Sequence, residues 1–368
     1  MLSIKKQISI LYISSVLQNL SLTGAWIAIL AARGFSLVEI GFVETVFHIT
    51  SFLFEIPSGV LADLYGRKNM MIVSSVLNMI GNIAMILSRS LPLICISIAF
   101  FAVSYNFSSG SGDALAYDSL KTAGREPYYE TYASNQLIIY RLFGGISTLC
   151  AGFALFIGYK AAYGTDILVG FIQILILLSL HEAPVSDDKN ERKKNTAASV
   201  RKEFAKCFGA SVDFLKKERF AVSLMFCNSF IGAVDILLLF FLQAKLQEAG
   251  MPDFALGFAL FFMETGGILG AKLILKCKKA RYRHILVCAA LLVLSGVIAE
   301  HSGMYVLMTL GGFAAAFSDD ALQVRTNTIL QDMFPSKQRA TLISIESFTF
   351  SVLMIVMSPL AGILFSHW

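Results

Sequence analysis

Residues 167–180 read ILVGFIQILILLSL. The stretch carries no charge and does not alternate between apolar and polar positions, as a strand of a transmembrane β-barrel would. Inside hydrocarbon, backbone N–H and C=O groups must be paired within their own segment, which an α-helix achieves. The stretch therefore predicts a membrane-spanning helix and excludes a β-barrel.

Similar apolar stretches fill the rest of the chain. Of 368 residues, 56% are hydrophobic and only 15% are charged, whereas soluble domains are about 25% charged. About 20 apolar residues cross the hydrocarbon core as a helix. We therefore predict an all-α membrane protein with about eleven spans. Their approximate limits are 8–30, 39–62, 69–88, 91–119, 131–157, 161–180, 220–243, 254–275, 285–300, 304–329 and 340–366.

The basic residues predict the orientation of these spans. Cytoplasmic loops carry an excess of Lys and Arg. If the N-terminus is cytoplasmic, the outer side receives only Arg33, Arg89, Lys160 and Lys245. The inner side then receives the charged stretch 182–219 and a larger set: Lys5, Lys6, Arg67, Lys68, Lys121, Arg125, Lys276, Lys278, Lys279, Arg281, Arg283, Lys337 and Arg339. We expect an inside N-terminus in the cytoplasmic membrane. Because this arrangement accounts for the net charge of +5, no nucleic-acid partner is expected.

Enzyme and metal signatures do not emerge. The six cysteines form no CxxC pair, so neither a disulfide framework nor a zinc site is indicated. The string 110–113 (GSGD) begins like a dinucleotide fingerprint, but it lies within a predicted span and lacks the third glycine. No P-loop is present. We expect no enzymatic activity and no cofactor, with a proton gradient as the driving force.

The N-terminal stretch resembles a signal peptide, but its apolar part is too long, so it is interpreted as the first span.

One long polar segment separates the spans into six and five. It predicts an N-terminal bundle over 1–182, a cytoplasmic linker over 183–218 and a C-terminal bundle over 219–368. From about Ser199 the linker is either an amphipathic helix on the inner leaflet or a solvated connection. The halves share short repeats: SGDALAYD (111–118) resembles SDDALQVR (318–325), and Gly34 with 41–42 (GF) resembles Gly250 with 257–258 (GF). Two like-oriented halves with a solute site between them are typical of secondary transporters.

Span two ends in GVLADLYGRK (59–68). This resembles the G-x-L-A-D-x-x-G-R-K signature of the major facilitator superfamily (MFS), at the same place between spans two and three. The resemblance implies a two-bundle MFS fold that alternates access, and a latch on the inner side that holds the halves together. The implied latch residues are Gly59, Asp63, Gly66, Arg67, Lys68 and Asp118. The alternative is that Arg67 and Lys68 only fix the topology.

The chain departs from the family in three places. The family has twelve spans, so the last helix is expected to be missing and the C-terminus to lie outside. The second-half counterpart of the signature, 270–279, lacks the Asp and a clear Gly-Arg pair. Span five lacks the Gly-Pro motif of the drug–proton antiporters, which weakens that interpretation without removing it.

Ionisable residues inside the spans are the candidate proton or solute site, because a charge at a span centre costs about 2.5–3.5 kcal/mol. They are Glu44, His48, Glu55, Asp113, Tyr117, Arg141, Asp235, Glu264, Asp320, Arg325 and Glu346, with the polar residues Gln18, Asn19 and Asn228. Glu55, Asp113 and Glu264 are the proton-binding candidates, since burial disfavours the charged form of a carboxylate. Alternatives remain: a hydrated Glu44 near the outer surface, a packed His48, an Asp113–Arg141 ion pair, and Asp320 with Arg325 near the inner surface as a second latch.

The predicted function is secondary active transport of a small solute, proton-coupled, with efflux of drug-like compounds favoured. Import or facilitated movement of a sugar, nucleoside or other metabolite is the alternative. A non-transporting receptor or assembly protein on an MFS scaffold is a second alternative. The expected partners are the solute and the lipid bilayer, and the chain is taken as a monomer.

Overall fold

The computed structural model describes residues 3–182, 216–277, 279–333 and 339–367, and within these ranges no β-strand occurs. The described helices are α1 (Ile4–Asn19), α2 (Trp26–Ala32), α3 (Leu37–Tyr65), α4 (Arg67–Leu87), α5 (Leu91–Ser108), α6 (Ser111–Thr122), α7 (Tyr128–Leu149), α8 (Ala151–Ile157), α9 (Tyr159–Leu178), α10 (Arg219–Glu248), α11 (Asp253–Ile274), α12 (Tyr282–Glu300), α13 (Tyr305–Met333) and α14 (Arg339–His367). The all-α prediction is confirmed.

Each predicted span coincides with one helix or with an interrupted pair of helices. Eight helical stretches of the described residues are long and apolar enough to cross a membrane, and α7 with α8, bent by 45°, would make a ninth. The two other predicted spans are interrupted or more polar. The first is broken between Asn19 and Trp26, and the tenth, α13, carries Asp319, Asp320 and Arg325. The count of eleven stays a prediction.

The chain divides into two compact units. The first comprises Met1–Ala25 and Val46–Val200, and the second comprises Trp26–Thr45 and Arg201–Trp368. The second unit thus includes α2 and the start of α3, which the sequence assigned to the N-terminal half. Most of the predicted linker, 183–215, lies outside the described residues. The predicted bundle boundaries therefore stay a prediction.

Close helix packing explains why residues 26–45 belong to the second unit. Gly41 of α3 lies directly against the carbonyl of Ser358 in α14, and a Cβ at Gly362 would come within 2.6 Å of the Leu37 carbonyl oxygen. Trp26 meets Phe240 of α10 edge-on, with ring centroids 6.3 Å apart. Small residues let membrane helices approach in this way.

In the first unit, polar side chains pair between helices. Ser74 of α4 donates to the Ser104 carbonyl at 2.7 Å, and Ser104 of α5 donates back to the Ser74 carbonyl at 2.8 Å. Asn106 of α5 donates to the Ser51 carbonyl of α3 at 2.6 Å. Such bonds stabilise helix pairs in hydrocarbon, where an unpaired polar group is costly.

In the second unit, α13 packs against α10, α11 and α12. A Cβ at Gly266 or Gly270 of α11 would overlap a backbone carbonyl of α13, that of Phe313 or Phe317. A Cβ at Gly296 of α12 would lie 2.8 Å from the Gly311 carbonyl oxygen. Glycines thus set the short distance between α13 and both of these neighbours.

The internal repeat predicted around Gly34 and Gly250 has a structural counterpart. Both glycines follow a helix and have positive φ, +88° and +85°. After each glycine, an N–H closes the helix end, from Phe35 to the Leu30 carbonyl and from Met251 to the Leu246 carbonyl. This is the Schellman arrangement, in which glycine accepts the left-handed conformation. The other repeat differs between its copies: 111–118 starts a new helix after Gly110, whereas 318–325 lies inside the continuous α13.

Candidate functional site

The signature loop between α3 and α4 brings two of the implied latch residues, Arg67 and Asp118, into contact. Gly66 turns the chain with φ +91°, and a Cβ there would lie 2.8 Å from an oxygen of Glu182. Arg67 begins α4, and its Nη1 lies 2.7 Å from Oδ2 of Asp118 in α6, with both side chains about a fifth to a quarter exposed. The side chain of Asp63 lies outside those that the structure describes, so its predicted role stays a prediction.

Glu182 completes this loop and was missed by sequence reasoning. Its two carboxylate oxygens accept from the backbone N–H groups of Arg67 and Lys68, each at 2.9 Å. An anion at a helix N-terminus satisfies free N–H groups and complements the helix dipole. The available signal was an acidic residue directly after span six, on the predicted side where α4 begins.

Lys68 makes the reciprocal contact at the other helix end. Its Nζ donates to the carbonyls of Leu178 at 2.8 Å and Leu180 at 2.7 Å, where α9 ends. A cation there satisfies carbonyls that lack a partner within the helix. Gln7 of α1 adds a third element: its amide donates to the His181 carbonyl at 2.6 Å and accepts from the His181 N–H at 3.1 Å. The ends of α1, α4, α6 and α9 are therefore joined within the first unit.

The interruption between α1 and α2 is built around Asp166 of α9. Its carboxylate accepts from the Ser21 hydroxyl at 2.7 Å, the Leu22 N–H at 3.0 Å and the Thr23 hydroxyl at 2.5 Å. Asn19, a candidate solute residue, lies at this break, and its carbonyl accepts from the Ser147 hydroxyl at 2.8 Å. Asp166 is buried within the predicted span six and was not among the candidate residues of the sequence. Gln18 is exposed on α1.

Asp113 of α6 lies beside a group of tyrosines. Tyr12 and Tyr129 each stack on Tyr132, with ring centroids 5.2 and 6.0 Å apart, and Tyr117 meets Tyr129 edge-on at 5.2 Å. Asn135 donates to the Tyr12 hydroxyl at 3.0 Å, and Gln136 donates to that of Tyr132. These aromatic rings, together with the exposed carboxylate of Asp113, we call the tyrosine cluster.

The tyrosine cluster offers ring faces and hydroxyls beside one carboxylate. Burial, helped by the nearby Asp113 carboxylate and by Tyr117, raises the pKa of Tyr129 above its ordinary value. Such an arrangement suits a ligand that stacks and carries a positive charge. The predicted partner of Asp113, Arg141, has its side chain outside the described set, so that ion pair stays a prediction.

The candidates of α3 differ in their surroundings. Glu44 is only 7% exposed, so the alternative of a hydrated Glu44 at the outer surface was wrong. His48 is buried as well, and its ring meets that of Phe47 edge-on at 5.4 Å. Glu55 is half-buried two residues before Pro57 and interacts electrostatically with Tyr105 of α5.

Three carboxyl groups meet in the second unit. Asp235 and Asp319 are 4% and 8% exposed, and they lie near the midpoints of the 30-residue α10 and the 29-residue α13. Electrostatic interactions couple Asp235, Asp319 and Asp320. We call these three residues the acidic cluster. Asp320 lies near the midpoint of the 29-residue α13, and the expectation that it lies near the inner surface stays a prediction.

Glycines make room for the acidic cluster. A Cβ at Gly232 of α10 would lie 3.4 Å from Oδ1 of Asp319, and a Cβ at Gly267 of α11 would overlap the Asp320 carboxylate. Oδ1 of Asp235 has no hydrogen-bond partner in the part of the chain that the structure describes. Sequence reasoning missed Asp319, although its place next to Asp320 within an apolar span was a usable signal.

Among the remaining candidates of the second unit, one pair is in contact. Asn228 of α10 donates to Glu346 of α14 at 3.5 Å. Arg325 donates to the Cys277 carbonyl, beyond the end of α11, at 2.7 Å, while Asp320 faces Gly267. Glu264 is exposed on α11. The second-latch hypothesis for Asp320 and Arg325 stays a prediction.

Solved structures of transporters share this fold. The chain is similar to the crystal structure of the nucleoside transporter NupG (TM-score 0.73, 16% identity, 97% of this chain and 90% of that one). It is also similar to a D-xylose–proton symporter (TM-score 0.71, 12% identity, 97% and 89%) and to the peptide transporter POT in complex with sulfate (TM-score 0.73, 13% identity, 98% and 90%). At these identities the likeness shows the fold alone.

Sequence comparison names the family. The chain is 28% identical over 178 residues to YxaM, an uncharacterised MFS-type transporter of Bacillus subtilis (strain 168). That match covers 47% of this chain and 41% of the relative, so the chain spans less than half of the relative's length. The sequence profile of the Major Facilitator Superfamily matches residues 8–318. The chain therefore belongs to the Major Facilitator Superfamily, a family of integral membrane proteins.

Proposed function

We propose that this chain is a proton-coupled secondary transporter of the cytoplasmic membrane, with its N-terminus inside, that exports drug-like compounds. The observation that supports proton coupling is the acidic cluster of the second unit. Asp235 and Asp319 are almost fully buried, and one oxygen of Asp235 has no hydrogen-bond partner among the described residues. The proton-binding role assigned from sequence to Glu55, Asp113 and Glu264 moves, in this proposal, to Asp235 and Asp319.

The physics of the cluster favours proton exchange. Burying an ionised carboxylate without a partner is costly, and carboxylates that share a site cannot all be ionised cheaply. Such groups take up protons when they are shut off from water and release them when water or a cation reaches them. Ionisable groups inside membrane helices are accordingly typical of proton pathways.

The tyrosine cluster supports the choice of solute. The ring of Tyr132 is fully buried beneath Tyr12 and Tyr129, so the partly exposed rings of Tyr12, Tyr117 and Tyr129 are the ones that a solute can reach. Asp113 supplies a negative charge beside them. Planar aromatic cations gain from both features, through stacking and through cation–π attraction. We propose that this cluster binds the solute while the acidic cluster binds the proton.

The test uses purified protein in liposomes and ethidium as the probe. An imposed pH gradient is expected to drive ethidium transport by the unchanged protein. Asp235→Asn and Asp319→Asn should each lower the rate of gradient-driven ethidium transport by roughly tenfold or more. This corresponds to an increase of about 1.4 kcal/mol in the free-energy barrier to transport. Both variants should still exchange labelled for unlabelled ethidium without a gradient. Glu126→Gln, which neutralises an exposed acid outside both clusters, is the matched control.

The same vesicles separate the alternatives. Gradient-driven transport that is unchanged in both Asp variants would place proton binding elsewhere. Accumulation of labelled uridine or xylose, without ethidium transport, would replace export with uptake of a metabolite. Absence of flux for every probe, from a folded protein, would favour a receptor or assembly role.

A further inference from the structure

A cavity of about 290 Å³ lies in the first unit, between the start of α1 and the turn that joins α6 to α7. Its walls are of two kinds. Ile4, Ile8 and Leu120 form an apolar side, and Lys5, Arg125 and Tyr128 are among the polar lining residues. The volume lies near the lower end of the range for small-molecule pockets, about 300–1,000 Å³.

The turn that carries Arg125 is ordered by its own hydrogen bonds. Gly124 has φ +66°, and the Arg125 N–H donates to the Leu120 carbonyl at 2.8 Å. The Tyr128 N–H then donates to the Arg125 carbonyl at 3.0 Å. The backbone of Arg125 is therefore held at the cavity by the helix end that precedes it and the helix that follows.

The two cations at the cavity have no anionic partner in the described part of the chain. The ion pairs of the described residues do not involve Lys5 or Arg125, and neither side chain takes part in any other polar contact there. None of the described lining residues is acidic. A cavity that gathers two positive charges without compensation favours an anion, since each cation beside it lowers the energy of a negative charge.

We propose that this cavity binds a phosphate-bearing anion. The planar guanidinium of Arg125 can hold two phosphate oxygens at once, and Lys5 can supply a point charge to the same group. The hydroxyl groups of Tyr128 and Ser9, which also lines the cavity, are further donors. The apolar side formed by Ile4, Ile8 and Leu120 fits the carbon part of such a ligand.

Two sources supply this chemistry at the end of a membrane helix. One is the headgroup of an anionic phospholipid, whose glycerol and first methylene groups would lie on the apolar side. The other is a water-soluble phosphate ester. Basic pockets between membrane helices at the bilayer surface are suited to anionic headgroups. The cavity shares no residue with the acidic cluster, so neither source depends on the proposed proton coupling. Tyr12 lines the cavity and also belongs to the tyrosine cluster, and the variants used below leave Tyr12 unchanged.

The experiment measures thermal unfolding of the full chain in detergent with three probes: short-chain phosphatidylglycerol, short-chain phosphatidylcholine and glycerol 3-phosphate. For the unchanged protein, the effective phosphate probe is expected to raise Tm by roughly 3 °C or more. The double variant Lys5→Gln with Arg125→Gln should lose most of that rise. Lys279→Gln with Arg281→Gln, which removes two exposed cations of the α11–α12 loop, is the matched control and should keep it.

The outcomes separate the two sources. A rise with phosphatidylglycerol alone, dependent on Lys5 and Arg125, identifies a lipid headgroup; a rise with glycerol 3-phosphate, equally dependent, identifies a soluble ester. No rise with either phosphate probe, or an equal rise in the double variant, overturns the proposal. If the double variant does not fold, the two single variants, Lys5→Gln and Arg125→Gln, are compared with the unchanged protein by native mass spectrometry. The proposal is also overturned if both single variants bind as many phosphatidylglycerol molecules as the unchanged protein and lose no glycerol 3-phosphate binding.

Discussion

The Arg67 guanidinium lies 2.7 Å from the Asp118 carboxylate, and α4 and α6, which carry the two residues, belong to the same unit. The charged pair of the signature is thus made inside one bundle. Because both side chains are partly exposed, water weakens their attraction, and the pair contributes little to overall stability. Its effect should fall on the transport cycle instead.

We predict that Arg67→Ala and Asp118→Asn each slow transport by roughly tenfold, equivalent to about 1.4 kcal/mol in the rate-limiting barrier, with Tm nearly unchanged. Initial rates in liposomes and thermal unfolding measure the two quantities. Arg89→Ala removes an exposed cation near the end of α4 and should leave the rate unchanged. Full activity in both signature variants would show that Arg67 serves only the topology.

Glu182 should matter for stability as well as for rate. Glu182→Gln keeps the size of the side chain but removes the negative charge that the first N–H groups of α4 contact. A charge at a helix N-terminus contributes about 0.3–1 kcal/mol, so we expect a Tm lower by roughly 1–3 °C. Glu126→Gln is again the control. Equal Tm values for the two variants would contradict the capping role.

Asp166 should be more sensitive to substitution. Asp166→Ala leaves the Leu22 N–H and the hydroxyls of Ser21 and Thr23 without their acceptor, at a cost of about 1–3 kcal/mol for each donor that stays buried. We expect a clear loss of folded protein on size exclusion and a lower Tm. Asp166→Asn retains one acceptor oxygen and should be milder. Equal Tm values and equal yields for the two variants would argue against the hypothesis that hydrogen bonds to Asp166 stabilise the interruption between α1 and α2.

The approach of α11 to α13 should not tolerate a side chain at Gly270. A Cβ there would overlap the Phe317 carbonyl, and backbone cannot move aside cheaply in a packed bundle. We predict that Gly270→Val yields little monodisperse protein. Gly144→Ala adds a Cβ where nothing lies within 4 Å and should behave like the unchanged chain. Normal yield and Tm for Gly270→Val would mean that the helices are farther apart.

Sequence reasoning succeeded where the determining interaction is local. Apolar stretches specify helices because backbone pairing is confined to each segment. The signature was expected between spans two and three, and Gly66 turns the chain there with positive φ. The resemblance grouped Asp118 with Arg67 among the implied latch residues, and these two side chains lie in contact. These features depend on short stretches of chain or on a family motif.

Interactions between distant segments were not predicted. Glu182 reaches α4 across 115 residues, and Asp235 meets Asp319 through the packing of α10 on α13. Asp166 had no visible reason to be buried, because its three donors belong to a break between α1 and α2 that hydropathy does not show. Residues 26–45 belong to the second unit because α3 and α14 pack closely at Gly41 and Gly362. The composition of the chain does not reveal this packing.

The predicted orientation can be tested with Cys277, which is exposed in the loop between α11 and α12. The charge asymmetry places this loop inside, so a membrane-impermeant maleimide should label Cys277 only after cells are permeabilised. Cys277→Ser measures the background from the other cysteines. In that background, Ser302→Cys, in the turn between α12 and α13, should be labelled in intact cells. Labelling of Cys277 but not of residue 302 from outside would invert the predicted orientation.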